Sequence, residues 1–513
     1  MSNFSVLRTY RSQFDSTLQT LIQQDPARSD FKLRSVKGKN SLSFDFSKTH
    51  LNLELLALAE AFVENSGLNE ERERLFRGEK VNLTENRAAE HPKVRSPEYV
   101  ETELGKMREF VNAVHEGHRI GSSNKTFTDV INLGIGGSDL GPRFVCDALS
   151  HFHIPGLRCH FVANVDPEEL LQTLKKVNPE STLFLIASKS FSTQETLLNG
   201  ALAKTWLIES LKQKGIEPKI ERHFVAISSN VEKAVAFGIQ AENCFEMSDS
   251  IGGRFSLWSN IGLSIALQIG MNRFTELLAG AHAMDNHFRT EPTRKNIPVL
   301  MALISLWYRN FWGAQSYAIL PYSQRLALLP AFLQQLEMES LGKSVLKNGQ
   351  PSPHQTGGVI WGGIGTNGQH AFHQLIHQGT LLIPADFITI EKSALDATLS
   401  PELQAHQTHQ HEVLLKHARA QMQALVQGKT REEAEAELRK AGHSKEAIAL
   451  LAPHKMIPGN RPCVEISLNK LNPFNLGQLL AAYEHKVFAL SVFLNINPFD
   501  QFGVELGKAL AEA

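Results

Sequence analysis

Val130-Ile-Asn-Leu-Gly-Ile-Gly-Gly-Ser-Asp-Leu-Gly-Pro142 is an apolar run that stops at a cluster of glycines and gives way to a helical stretch. The same signature recurs downstream. His160 to Ala163, Leu183 to Ala187 and Phe224 to Ile227 are short β-branched or apolar runs, the last two ending in hydroxyl residues and each followed by helical spacing. That alternation predicts an α/β fold built on a parallel sheet flanked by helices. A second, less regular series follows, with Val359 to Trp361 before a glycine-rich turn and Leu381 to Ile383 after the next helix.

Outward from this centre the chain reads as mostly helical. Residues 1 to about 110 carry one expected strand, Leu42 to Phe46, and a polar loop around Arg77 to Ser96. Ser96-Pro97 is a helix start, after which Val100, Leu104, Met107, Val111 and Val114 recur at helical spacing. Between about 403 and 450 the chain is again helical, with a capping box expected from Thr430 and Glu433 and a stop at Gly442.

At 513 residues the chain exceeds what one hydrophobic core holds, so two large lobes are expected. A formal net charge of -1 leaves no basic excess to hold nucleic acid. Cys146, Cys159, Cys244 and Cys463 are far apart and suggest neither a disulfide framework nor a zinc knuckle, which fits a reducing, cytoplasmic home. No signal peptide is read at the N-terminus. The most apolar stretches, Leu257 to Met271 and Pro298 to Tyr308, fall short of the roughly 18 to 20 residues a membrane span needs and read as buried core helices.

Six stretches have the composition for chemistry. The glycines from Gly134 to Gly141 let backbone N–H groups approach an anion at a helix start. Asp139 stands where a dinucleotide fingerprint needs its third glycine, and no Gly-Lys-Ser/Thr follows for a P-loop. Ser188-Lys-Ser-Phe-Ser-Thr-Gln-Glu-Thr196 offers five hydroxyls and an ammonium in nine residues, more than helix capping uses, and suits a phosphate monoester. In Gly252-Gly-Arg-Phe-Ser-Leu-Trp-Ser-Asn260 an arginine behind two glycines can face a developing oxyanion, although a surface arginine is the commoner occupant of such a place. In Gln334-Gln-Leu-Glu-Met-Glu-Ser-Leu-Gly-Lys343, Glu337 and Glu339 diverge on a helix, so one can serve as a buried base while the other is solvated; periodicity does not choose. His370, His373 and His377 follow Gly365 at helical spacing, but H-E-x-x-H is absent and no acidic or cysteine co-ligands accompany them, so no metal is expected. The histidines from His406 to His417 read as a polar surface helix. Lastly, Asn497-Pro-Phe-Asp-Gln-Phe-Gly-Val-Glu-Leu-Gly-Lys508 contains a turn able to return Lys508 to a cleft.

Together, and in this order, these stretches resemble the glucose-6-phosphate isomerase family over nearly the whole chain. Phe44-Asp-Phe-Ser-Lys48, Arg77-Gly-Glu-Lys-Val-Asn-Leu-Thr-Glu-Asn-Arg87 and Tyr483-Glu-His-Lys-Val-Phe488 are similar to the family as well. The resemblance implies two sugar isomerase (SIS) domains, each a parallel sheet flanked by helices, with boundaries expected at 111–285 and 286–513 after an N-terminal helical segment at 1–110. It implies reversible aldose-ketose isomerisation of glucose 6-phosphate and fructose 6-phosphate through a cis-enediol, with no cofactor and no metal, by a homodimer that completes its active sites across the interface. Phosphate contacts would come from Ser188, Ser190 and Thr193, with Lys189, Gly137 and Ser138 close by. Glu339 looks like the catalytic base, Gln335 its substrate-positioning partner and Arg254 the enediolate stabiliser. His370, from the neighbouring subunit, and Lys508 would assist ring opening, and Gln501 would help hold the substrate. Trp361-Gly-Gly-Ile-Gly365 departs from the Gly-Glu-Pro-Gly of many relatives.

Two other readings compete. A non-catalytic SIS-type sensor would need the Ser188 loop but not Glu339, Arg254 and Lys508 together. A nicotinamide-dependent oxidoreductase is suggested by strand, glycine loop and Asp166, and is weakened by the missing third glycine.

Overall fold

The structure, a computed structural model, describes residues 3–36, 38, 40–395 and 397–512. Its strands in chain order are β1 (Lys32–Arg34), β2 (Leu42–Asp45), β3 (Asp129–Leu133), β4 (Arg158–Val162), β5 (Thr182–Ala187), β6 (Phe224–Ile227), β7 (Cys244–Phe245), β8 (Ser316–Pro321), β9 (Val359–Gly362), β10 (Ala385–Ile390) and β11 (Cys463–Leu468). They form two sheets, and the chain divides into two compact units, neither continuous in sequence. One comprises Met1–Glu71, Asn286–Leu471 and His485–Pro498; the other comprises Arg72–Asp285, Asn472–Glu484 and Phe499–Ala513. The 1–110 stretch is therefore shared between the two units.

The unit centred on Arg72–Asp285 holds a five-stranded sheet in the order β4-β3-β5-β6-β7, parallel throughout. β3, β5 and β6 are buried along their whole length, which is why they read as continuous apolar runs and not as alternating strands. Phe184, Ile186 and Phe224 of this sheet share a core with Ala203, Leu207 and Leu211, the inward residues of the helix Gln194–Gln213. The helix expected from Ser96 onward is broken at Glu103 and Leu104 into Pro97–Thr102, capped by the Ser96 hydroxyl, and Gly105–His115.

The other unit holds a six-stranded mixed sheet, β1-β2-β11-β10-β8-β9. β11, β10, β8 and β9 run parallel, while the β1–β2 hairpin pairs antiparallel to β11 and forms one edge. The strand expected at Leu381 to Ile383 is displaced: the chain there only leads in, and β10 starts after Pro384. Asp386 makes that segment look polar in sequence, but it is buried and accepts a hydrogen bond from the Tyr317 hydroxyl at 2.7 Å, so the strand tolerates it. β8 and β11 carried no sequence signal strong enough to be read. Both stretches expected as core segments are enclosed, and residues Ile297 to Tyr308 of the helix Ile297–Phe311 are buried without exception. The Thr430–Glu433 capping box is formed, and Gly442 just beyond the helix end adopts a positive φ of 83°. Among the described residues no helix is long and apolar enough to cross a membrane.

Candidate active site

In a parallel sheet, ligands bind beyond the carboxyl ends of the strands. β3 and β5 are neighbours in register, with Leu133 opposite Ile186, so the glycine loop after one and the hydroxyl loop after the other emerge side by side. A side chain at Gly134 would come within 2.9 Å of the Ser138 Cβ and 3.2 Å of the Ala187 Cβ; only glycine fits that crossing. Gly137 is tighter still: a Cβ there would lie 2.0 Å from the Gly253 carbonyl oxygen and 2.8 Å from the Arg254 nitrogen. The third candidate stretch is thus brought onto the first by backbone contact, and the second begins one residue after Ala187. Asp139, which spoils the dinucleotide fingerprint, is buried and accepts from Arg143 Nε at 2.9 Å; burial raises its pKa and Arg143 opposes the rise.

The hydroxyl loop runs from buried Ser188 to Thr193, the residue preceding the helix Gln194–Gln213. The side chain of Thr193, the N-cap of that helix, makes no capping bond. Ser188 Oγ donates instead to Thr193 Oγ1 at 3.0 Å, and Ser190 and Ser192 pair at 2.6 Å. The first-turn amides of this long helix thus gain no acceptor from the cap residue, a setting that suits an anion. Phe191 is driven into the core at a positive φ of 47°, which leaves Ser190 and Ser192 on the exposed side of the turn.

Lys189 behaves differently from its neighbours. Its ammonium donates to the carbonyls of Asp249 and Ile251 at 2.9 and 3.2 Å and lies 3.5 Å from the Asp249 carboxylate. Its own carbonyl accepts from the Ser229 amide and the Ser228 and Ser229 hydroxyls. The residue staples the loop to its surroundings at both ends. Burial pushes its pKa below the lysine range; Asp249 opposes this, and Arg87 nearby adds to the depression.

Arg254 is 3% exposed, and its guanidinium donates to Gln501 Oε1 at 3.0 Å and to the Asp500 carbonyl at 3.1 Å. Asp500 in turn accepts from the Thr84 hydroxyl at 2.8 Å. Two sequence candidates, Arg254 and Gln501, are therefore in direct contact, and the Arg77 to Arg87 stretch supports them from behind. Lys508 lies on the helix Glu505–Glu512, exposed, with no hydrogen bond or ion pair among the described residues.

In the other unit, Gln334–Glu339 forms a π-helical turn after the short helix Leu329–Leu333. Such turns occur frequently at functional sites. Gln335 and Glu339 are partly accessible, whereas Glu337 is buried and accepts from the Lys486 ammonium at 2.8 Å. His370 closes a 3-10 turn, Asn367–His370, and is exposed, its ring making no hydrogen bond or ion pair among the described residues. The turn is anchored by the neighbouring Gln369, whose amide donates to the Tyr322 hydroxyl at 2.9 Å, and by Gly365, where a Cβ would meet the Tyr322 ring at 2.3 Å. His373 and His377 both bond to Gln421 Oε1, at 3.0 and 2.7 Å, and burial lowers both pKa values. Among the described residues no group of three or more His, Cys, Asp or Glu is placed to hold a metal ion.

The family described as phosphoglucose isomerase matches residues 45–513. The chain belongs to the phosphoglucose isomerase family. It is 49% identical over 483 residues to the glucose-6-phosphate isomerase of Saccharophagus degradans, covering 92% of this chain and 86% of the relative. It is 47% identical over 509 residues to that of Methylococcus capsulatus, covering 96% and 90%. A solved glucose-6-phosphate isomerase from Chlamydia trachomatis superposes with a TM-score of 0.83 at 28% identity, over 100% of this chain and 95% of that one. A two-sheet α/β architecture is thus common to this phosphoglucose isomerase family member and a solved relative.

Sequence reasoning missed two contributors. Arg87, quoted only as part of a family stretch, lies close enough to depress the Lys189 ammonium. Lys486, likewise only part of a matching motif, turned out to hold one of the two candidate carboxylates. Neither had a local signal, because each meets its partner across a large sequence separation.

Proposed function

We propose that the chain interconverts glucose 6-phosphate and fructose 6-phosphate, as the names of its relatives indicate for those proteins, and serves in glycolysis and gluconeogenesis. The observation that carries the reading is the uncapped helix start behind Ser188 to Thr193, set beside the glycine loop and the buried Arg254. Ser188, Ser190 and Thr193, with the amides near Gly137 and Ser138, hold the phosphate; Lys189 shapes the loop around it. Isomerisation at the sugar end calls for a base and a positive charge. Glu339 removes the proton from the carbon next to the carbonyl and returns it to the adjacent carbon, the work of a general base. Of the two candidates, Glu337 is committed to Lys486, which favours Glu339.

Arg254 faces the oxygen on which the cis-enediolate charge develops. Its contacts with Gln501 and the Asp500 carbonyl fix the guanidinium beforehand, so little reorganisation accompanies the appearance of charge. Gln335 positions the substrate hydroxyls and Gln501 helps hold the sugar. His370 and Lys508 act at the ring oxygen and anomeric hydroxyl during ring opening, a task suited to accessible groups with no internal partner. His370 serves the active site of a neighbouring subunit in a cytoplasmic homodimer. The proton stays within one substrate and no electron carrier is needed, so the mechanism calls for neither cofactor nor metal. Neither the relatives nor these contacts favour a non-catalytic sensor.

The decisive experiment is a coupled assay from fructose 6-phosphate to glucose 6-phosphate in the presence of chelator, with dimerisation followed by analytical ultracentrifugation. Turnover in the wild-type protein and its loss in Glu339→Gln, with binding of the phosphate ester retained, are expected. Loss in Glu337→Gln with full activity in Glu339→Gln would overturn the choice of base.

A further inference from the structure

The motif Tyr483-Glu-His-Lys-Val-Phe488 has no part in the chemistry above, yet its lysine is only 1% exposed. Lys486 Nζ donates to Glu337 Oε2 at 2.8 Å, and Glu337 itself is 6% exposed. The ammonium also lies 4.8 Å over the ring of Tyr317 on β8, whose hydroxyl donates to Asp386 on β10. The π-turn is thus tied through one ion pair to two strands of the sheet.

Stability alone is a poor reason for such a pair. Desolvating two charges offsets most of their attraction, and apolar residues of the same volume commonly serve as well or better. What the pair supplies is direction. Glu337 sits between Gln335 and Glu339 on a six-residue π-helical turn, a conformation that a chain rarely holds without outside contacts. Leu336 and Glu337 form its buried side, and Gln335 and Glu339 its accessible side. Beside Glu337 is a cavity of about 40 Å³ bordered also by Ser305, Ser316 and Tyr317. Leu336 packs the buried side of the turn, and the ion pair adds a directional tie beside this cavity.

We propose that the Glu337–Lys486 ion pair is a positioning device that holds the π-turn in the orientation at which Glu339 reaches the substrate carbon. This rests on the isomerase reading and deepens it. Glu337 and Lys486 touch no reacting atom; they act through Glu339.

The test uses the full-length protein and two variants, the double substitution Glu337→Leu/Lys486→Met and the single substitution Glu337→Gln. Wild-type turnover of fructose 6-phosphate is measured first, and its absence would defeat the isomerase reading without bearing on the clamp. Given an active wild type, the double variant is expected to keep its melting temperature within a few degrees while kcat falls about tenfold or more, the scale of a sub-ångström to 1 Å misplacement. KM should stay within about twofold, because the phosphate loop is untouched. Deuterium exchange from solvent into C2 should fall in parallel with kcat. Glu337→Gln, which keeps the shape and one acceptor oxygen, should fall less, by about threefold. Wild-type kcat in a folded double variant overturns the proposal. If the double variant does not fold, Glu337→Gln decides alone: unchanged kcat overturns the proposal, and a several-fold drop at constant KM sustains it.

Discussion

The turn Ser188–Thr193 and the turn Gln334–Glu339 prepare for charge in opposite ways. The first bonds its hydroxyls only to one another within the loop, and Thr193 makes no side-chain cap on the helix behind it. The second pairs one carboxylate, Glu337, with Lys486 and keeps Glu339 on its less buried side. A loop that receives an anion needs spare N–H and O–H groups, each worth about 1.5 to 3 kcal/mol once an ionised oxygen arrives. A turn that supplies a base needs a carboxylate held in place. Excess is visible in composition; restraint is not.

The sharpest way to break this contrast is at the base. Glu339→Gln should lower turnover by about 10² to 10⁴-fold while affinity for the phosphate ester changes little, read by coupled assay and by isothermal titration. A comparable fall in affinity would mean that the two turns do not divide the work as described.

A second variant separates positioning from simple stability. Arg95 is fully enclosed, donating to Asp285 at 2.8 and 2.5 Å and to Glu484, which also accepts from the Trp258 indole at 2.8 Å. Burial raises the Glu484 pKa and Arg95 opposes the rise. Arg95→Met leaves two buried carboxylates without their cation and should cost about 3 to 5 kcal/mol of folding stability. Denaturant unfolding measures it. The Glu337→Leu/Lys486→Met variant, which removes both partners, should show no such loss.

The hydroxyl turn predicts a smaller effect of a different kind. Ser188→Ala or Thr193→Val should each raise KM for fructose 6-phosphate by about tenfold, with kcat nearly unchanged, as one hydrogen bond to a charged group is lost. If kcat fell and KM did not, the turn would be acting on the reacting carbons and not on the phosphate.

A further effect concerns acid. His50 is completely buried, bonded to the Tyr308 hydroxyl and Asn460 Oδ1 at 2.9 Å each and stacked on Trp312. Burial pushes its pKa down from 6.5 to about 4. The unfolded chain therefore binds the proton first as pH falls. The contribution of neutral His50 is complete above about pH 6.5 and should decline by about 1.4 kcal/mol per unit down to about pH 4. Thermal melts of wild type and His50→Gln between pH 7 and 5 should converge as pH drops.

Much of the fold was legible because fully buried parallel strands write themselves as unbroken apolar runs, as at Val130 to Leu133 and Phe224 to Ile227. β8 and β10 were harder, since Pro321 ends one, Pro384 precedes the other, and Asp386 sits within a core strand, bonded to a tyrosine from the neighbouring strand. The glycine loop, the surplus of hydroxyls and the arginine behind two glycines were all readable, because backbone approach and donor density are properties of adjacent residues.

By itself the sequence determined the parallel α/β plan, the candidate stretches and the family to which they are similar. Only the tertiary structure decided that Glu337 is the enclosed carboxylate, that Lys189 turns its ammonium onto the Asp249 and Ile251 carbonyls, and that Arg254 leans on Gln501. The physical reason is range. Helical and strand periodicity is set by neighbours a few residues away, whereas the partner of a buried charge can lie 149 residues along the chain, as Lys486 does from Glu337, and desolvation fixes which of two similar side chains must find it.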